Sequence, residues 1–189
     1  ETVKKIVSSC IKLDIPIVTF YVFSSENWKR PKNEIQYLFK LIKIYFTKEI
    51  ISIKKQGIKI NIFGDLIKLP KEVKLVLKKT IKVTKNNKKI IVNLAINYGS
   101  KHEILYAAKQ SARKISIKNL EDKLYTKNLP NPDILIRTGG HQRLSNFMLW
   151  QLAYAELFFF KKLWPDFNSI DLKKVIHKYN KIKRNFGSV

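Results

Sequence analysis

Two arginines, Arg137 and Arg143, bracket a loop that carries Gly139 and Gly140 and is followed by Ser145. A guanidinium grips an oxyanion with two parallel hydrogen bonds. Glycines let a backbone come close to a ligand. The apolar run Ile134 to Ile136 just upstream reads as a short buried strand that empties into this loop. Such a loop suits a diphosphate.

The stretch Phe23-Ser24-Ser25-Glu26-Asn27-Trp28-Lys29-Arg30-Pro31 is the next candidate. It offers hydroxyls, an amide, a carboxylate, an indole and a guanidinium in one turn. A helix N-cap needs only one such group, so the density points to ligand contact. Trp28 could cover an apolar ligand while Arg30 holds its charged head. Glu156 stands inside the apolar run Leu152 to Phe160. A carboxylate there is either paired in a salt bridge or cap, or is a metal ligand. His141 lies between the loop arginines and reads as a loop residue; His102 and His177 read as surface positions. No phosphate-binding Walker loop, zinc spacing or nucleophile elbow is present in the sequence.

Alternating elements must position these residues. Helical spacing of apolar residues predicts helices over 2–13, 33–55, 71–84, much of 100–128, and 169–184. Continuous β-branched and aromatic runs predict strands at Ile17–Val22, Ile58–Phe63, Ile90–Ile96 and Ile134–Ile136, with a fifth near Leu157–Phe160. This order predicts an α/β fold: one parallel sheet covered by helices on both faces. The four strands from Ile17 to Ile136 are expected side by side. Ligands of such sheets bind beyond the carboxyl ends of the strands. The loops Ser24 to Arg30, Gly64-Asp65, Asn97 to Gly99 and Arg137 to Ser145 all fall there.

The 189 residues suffice for one domain with a full core, and no linker or composition break divides residues 1–189. No apolar run is long enough to cross a bilayer, and no signal peptide is visible. The single cysteine, Cys10, precludes an internal disulfide and fits a reducing, cytoplasmic setting; its place on an apolar helix face predicts packing. The formal charge is +24. Only Arg30, Arg113, Arg137, Arg143 and Arg184 among the 38 basic residues are arginine. The lysines are scattered, as codon drift in an AT-rich genome would leave them. Their field still favours acidic lipid headgroups and phosphorylated substrates. A chain that uses lysine wherever any cation will serve keeps arginine where fork geometry counts, and three of the five arginines lie in the carboxyl-end loops.

Four blocks together resemble the cis-prenyltransferases, closest to the bacterial undecaprenyl diphosphate synthases. They are Tyr21 to Pro31, Asn93 to Gly99, Asp133 to Asn146, and Leu149 to Leu157 with Leu163-Trp164-Pro165-Asp166-Phe167. They keep the family's order over nearly the whole chain. The resemblance implies a homodimeric α/β enzyme at the cytoplasmic face of the membrane, in peripheral contact with lipid. Such an enzyme adds isopentenyl diphosphate repeatedly to an allylic diphosphate, usually farnesyl diphosphate, with magnesium assisting. The cis-polyprenyl product is a lipid carrier for cell-wall synthesis, and its tail grows into an apolar tunnel. By position, Arg137, Arg143, Leu144 and Ser145 would hold isopentenyl diphosphate, and Glu156 would ligate magnesium. Asn27 would assist proton removal. Ser24, Ser25, Glu26, Trp28 and Arg30 would contact substrate, and the helix at 33–55 would line the tunnel.

Two departures accompany the resemblance. The family's Asp-Gly-Asn-Gly-Arg-Trp segment, which supplies a catalytic aspartate, is absent; it is expected upstream of Glu1 with the first strand, which makes these residues an N-terminally truncated, inactive form of the domain. The loop also carries His141 where a glutamate is usual. The competing readings are a non-catalytic partner subunit of the same family and a basic nucleic-acid-binding protein. The dispersed lysines speak against the second.

Overall fold

The computed structural model describes residues 1–111 and 115–184. Helices appear where apolar residues recur every three or four positions. α1 (Thr2–Lys12) buries Ile6, Val7 and Cys10, and α2 (Lys32–Lys55) buries Ile35, Phe39, Ile42, Phe46 and Ile53. α3 (Lys71–Thr84) buries Val73 and Leu77. α4 (Ser100–Gln110) and α5 (Ile117–Glu121) fill part of the predicted 100–128 helical region, of which residues 112–114, including Arg113, lie outside the described residues. α6 (Ser169–Tyr179) is shorter than the basic helix predicted to 184. The strands are β1 (Ile17–Ser24), β2 (Ile58–Phe63), β3 (Ile90–Tyr98), β4 (Ile134–Arg137) and β5 (Glu156–Phe159).

All three strand pairings, β1 with β3, β2 with β3, and β4 with β5, are parallel, as the alternation predicts. The single four-strand sheet is not observed. The described strands form a three-stranded sheet, β1-β3-β2, and a separate pair, β4-β5. No ladder joins β1 to β4; Tyr21 of β1 and Leu135 of β4 instead belong to one apolar cluster with Phe147. Accordingly β1, whose sequence reads as a central strand, is half-buried along Ile17 to Val22, while β3 is buried almost throughout.

Period-two alternation distributes the core. Ile90, Val92, Leu94 and Ile96 of β3 face α1, α2 and α3. Ala95 faces the other cluster, with Phe147, Met148 and Leu152. On that second side Glu103 of α4 is buried and fully engaged. It accepts from the Tyr98 hydroxyl, from the Tyr125 backbone N–H at 2.8 Å and from Gln151 Nε2 at 3.2 Å. This network pins the end of β3 to the segment that follows the arginine loop. Burial, with the Glu103 charge second, pushes the Tyr98 hydroxyl far above its ordinary value. Cys10 is buried as predicted, and burial raises its thiol to about 11, so it packs and does not react.

Candidate active site

The carboxyl ends of β1, β3 and β4 converge because side chains tie them. The Tyr21 hydroxyl lies 3.2 Å from the Tyr98 carbonyl and 3.4 Å from the Ser145 carbonyl, within reach of both strand β3 and the arginine loop. Tyr21 also stacks on Phe147, ring centroids 4.5 Å apart.

Arg137 ends β4 and organises the loop beyond it. Its Nη1 donates to Ser145 Oγ at 2.8 Å and to the backbone carbonyl of Arg143. Arg137, Arg143 and Ser145 are therefore neighbours. Burial, and then the nearby charge of Arg143, hold the Arg137 pKa below its ordinary value. No carboxylate forms an ion pair with either guanidinium among the described residues. Two like charges left together without a counter-charge make a seat for an anion.

The two glycines anchor the loop backbone. Gly139 donates its N–H to the Lys162 carbonyl at 2.9 Å and Gly140 donates to the Phe160 carbonyl at 2.8 Å. Their donors are spent on fixing the loop to the residues after β5, not left for a ligand. What glycine supplies here is φ of 91° and 79°, a backbone that other residues rarely adopt.

The Ser24-to-Arg30 segment folds as a 3-10 turn, Ser25–Lys29. Ser24 donates its N–H to Asn27 Oδ1 at 2.9 Å, which fixes the Asn27 amide. Trp28 is half-buried. Its ring packs against Phe23 and Phe39, and its Nε1 donates to Asn97 Oδ1 at 2.7 Å. Ser25 Oγ donates to Glu26 Oε2 at 3.1 Å. Arg30 is exposed and joins none of the described ion pairs. Leu144 packs beside the Phe147 cluster.

Asn146 carries a structural role that the sequence reading gave it no part in. Its Nδ2 donates to Glu26 Oε1 at 2.7 Å, its Oδ1 accepts from the Lys101 N–H at 2.8 Å, and its carbonyl accepts from the Ser100 N–H at 2.8 Å. It thus clasps the 3-10 turn, the start of α4 and the arginine loop. A Cβ at Gly99 would fall 2.3 Å from Ser25 Oγ and 2.8 Å from Asn146 Nδ2, so a larger residue at this junction would have to displace both groups. The signal was local: asparagine tolerates positive φ better than most residues, and Asn97, Ser145, Asn146 and Met148 all take positive φ in this neighbourhood. Strain gathered in one place marks a functional site.

Glu26 reports on the clasp. Burial pushes its carboxyl up, but hydrogen bonds from Asn146, its own backbone, Ser25 and Ser24 outweigh that and leave its pKa below the ordinary value. A lowered folded pKa gives stability that is present above the unfolded value and is lost as pH falls through the folded one, here below about pH 4.3. Asn146→Ala is expected to cost about 1–2 kcal/mol in urea unfolding at pH 7 and to raise the Glu26 pKa measured by NMR titration. An unmoved Glu26 would show that the clasp is not what stabilises its charge.

Glu156 opens β5 and pairs in register with Ile134, whereas Arg137 pairs with Phe159. It therefore lies at the amino end of the pair, about 10 Å along the strands from the Arg137 level. Its Oε1 is 3.9 Å from Nε of Arg184, which also donates to Asp133 Oδ1 at 2.8 Å. The described residues hold no group of three acidic, histidine or cysteine side chains able to hold a metal ion. Among the described residues, Glu156 is therefore not part of a three-ligand set that would fit magnesium. Residues 147–155 are a run of turns and bends leading into β5. They send Phe147, Met148 and Leu152 into the core, and Tyr154 and Leu157 stay exposed.

The comparisons agree with this architecture. The undecaprenyl diphosphate synthase family model matches residues 1–187. The isoprenyl transferase of Clostridium perfringens is 41% identical over 199 residues, covering 100% of this chain and 79% of that protein. The isoprenyl transferase of Rickettsia sibirica is 41% identical and covers 99% of this chain and 84% of its own length. A crystal structure described as a probable undecaprenyl diphosphate synthase, from Campylobacter jejuni, superposes with a TM-score of 0.91 at 34% identity, over 99% of this chain and 90% of that one. Lavandulyl diphosphate synthase from Lavandula x intermedia, solved with dimethylallyl diphosphate, gives 0.94 at 31% identity, over 99% of this chain and 85% of that one. With its parallel strands, its arginine-serine loop and these relatives, the chain belongs to the undecaprenyl diphosphate synthase family of isoprenyl transferases.

Proposed function

We propose that the Arg137–Arg143–Ser145 cluster holds the diphosphate of isopentenyl diphosphate, which this chain's enzyme condenses with an allylic diphosphate such as farnesyl diphosphate to build a cis-polyprenyl diphosphate carrier for cell-wall synthesis. The observation that carries the reading is the pair of unneutralised guanidiniums beside a serine hydroxyl at the carboxyl end of β4. Arg137 orients the loop, and Arg143, whose guanidinium joins no ion pair among the described residues, closes on the second phosphate with the fork geometry that lysine lacks. Leu144 and Ser145 complete that seat.

The allylic diphosphate would lie toward the 3-10 turn, against Ser24, Ser25, Glu26 and Arg30, with Trp28 as an apolar wall. Asn27 would orient the carbon that loses its proton, since an amide is too weak a base to take the proton itself. The tail would part α2 from α1, where Phe39, Ile42 and Cys10 now pack. The free edges of β1 and β4 would accept one further strand, bearing the aspartate that the resemblance places upstream. When bound, magnesium would neutralise charge on the leaving diphosphate. Glu156 would reach it only from another subunit, through a homodimer built on the exposed Tyr154 and Leu157.

Titration calorimetry of isopentenyl diphosphate into the wild type and Arg143→Ala tests the reading. The variant is expected to bind about 30- to 150-fold more weakly, a loss of about 2–3 kcal/mol from one charge-assisted contact. An unchanged affinity would remove Arg143 from the site. A second reading is a non-catalytic partner subunit. It predicts diphosphate binding with no turnover in any extended form of the chain.

A further inference from the structure

α2 is a helix with two apolar faces, and only one has a partner. Ile35, Phe39, Ile42, Phe46 and Ile53 enter the core. About 180° around the axis, Tyr37, Leu41, Ile44 and Ile51 follow one another at spacings of four, three and seven residues, and all are exposed, Tyr37 at 63% and Ile51 at 67%. They form a stripe about 21 Å long. Lys48 and Lys55 fall on the same outward arc, with Lys40 and Glu34 on its two borders; Glu49 falls to its side and is paired with Lys4.

We propose that this outward face of α2 is a lipid-docking surface that lies in the headgroup region of an anionic bilayer. The chemistry selects the occupant. Lysines interleaved with exposed aliphatic and tyrosyl side chains can insert their stems among acyl chains while their ammonium groups stay at the level of acidic headgroups. A second copy of the chain is the poorer fit, because Lys48 sits within the stripe itself and would meet another lysine-bearing face across a drying interface. The chain's net charge of +24 adds long-range attraction to the same surface. No helix of the described residues is long and apolar enough to cross a membrane, so the contact is one of lying on it. The inference stands on the stripe and the charge, and survives if the diphosphate reading fails.

Vesicle co-sedimentation tests it with the full chain. Vesicles of phosphatidylcholine alone and with 30% phosphatidylglycerol, taken as a typical acidic fraction of roughly a third, are compared for the wild type, for Leu41→Glu with Ile44→Glu, and for a control, Leu105→Glu with Tyr106→Glu on α4. Both pairs replace exposed apolar residues and add the same charge. The stripe variant is expected to lose at least about tenfold in binding to acidic vesicles and the control no more than about threefold. Equal losses would reduce the effect to net charge and overturn the docking face. Failure of the wild type to bind acidic vesicles would do the same. So would a wild-type dimer in sedimentation that the stripe variant dissociates, since the face would then be a protein interface. Circular dichroism confirms that each variant remains folded.

Discussion

Arg137→Ala is expected to weaken binding of inorganic diphosphate by about 3–5 kcal/mol, at least a hundredfold, more than Arg143→Ala does. The loss has two parts. One charge-assisted donor to the ligand disappears, worth about 1.5–3 kcal/mol. The remainder is order. Arg137 donates to Ser145 Oγ and to the Arg143 carbonyl, so without it the residues that meet the second phosphate lose their common anchor. Arg137→Lys should recover less than half of the loss, because an ammonium cannot span both acceptors and a ligand in one plane. Calorimetry with diphosphate, beside urea unfolding of each variant, separates binding from folding. Wild-type affinity in Arg137→Ala with intact folding would show that the loop does not seat the anion.

The second large effect is on turnover. These 189 residues are expected to bind diphosphate yet elongate an allylic substrate at a negligible rate, at least about a thousandfold below an extended enzyme, given that metal neutralisation of a leaving group is worth several kcal/mol. The ground is the donor set. At the carboxyl-end site Glu26 is committed to Asn146 and Ser25, and Asp65 accepts from the Ile67 N–H at 2.8 Å. Glu156 is at the other end of its strand. Magnesium demands near-octahedral oxygen ligation, and these carboxylates do not converge. Fusing upstream a segment with the family's Asp-Gly-Asn-Gly-Arg-Trp should bring magnesium-dependent incorporation of labelled isopentenyl diphosphate into lipid. Robust elongation by the 189 residues alone would overturn the account. Inactivity of the fusion, with diphosphate binding intact, would favour the partner-subunit reading.

The sequence by itself determined what is local. The apolar spacing of residues 2–13 and 33–55 returned α1 and α2 within a residue, and the run Ile58 to Phe63 is β2 to the residue. Hydrogen bonds four residues apart and alternating strand faces are set within a few neighbours, so periodicity records them. The arginine-serine loop was legible for a similar reason: in a lysine-rich chain, arginine stands out by type. Tertiary structure decided what depends on distant partners. Periodicity tells which face of β1 is apolar but not whether its edge is paired, so one expected sheet became two. The glycine N–H groups were spent on Phe160 and Lys162, the Trp28 ring on Phe39, and Asn146 on Glu26 across 120 residues of sequence. The parallel pairing of β4 with β5 put Glu156 and Arg137 at opposite ends of the same small sheet, although both lie beside strongly apolar runs. A polar side chain's partner is chosen by the packing that brings the two together, and that choice is not written in the spacing of either segment.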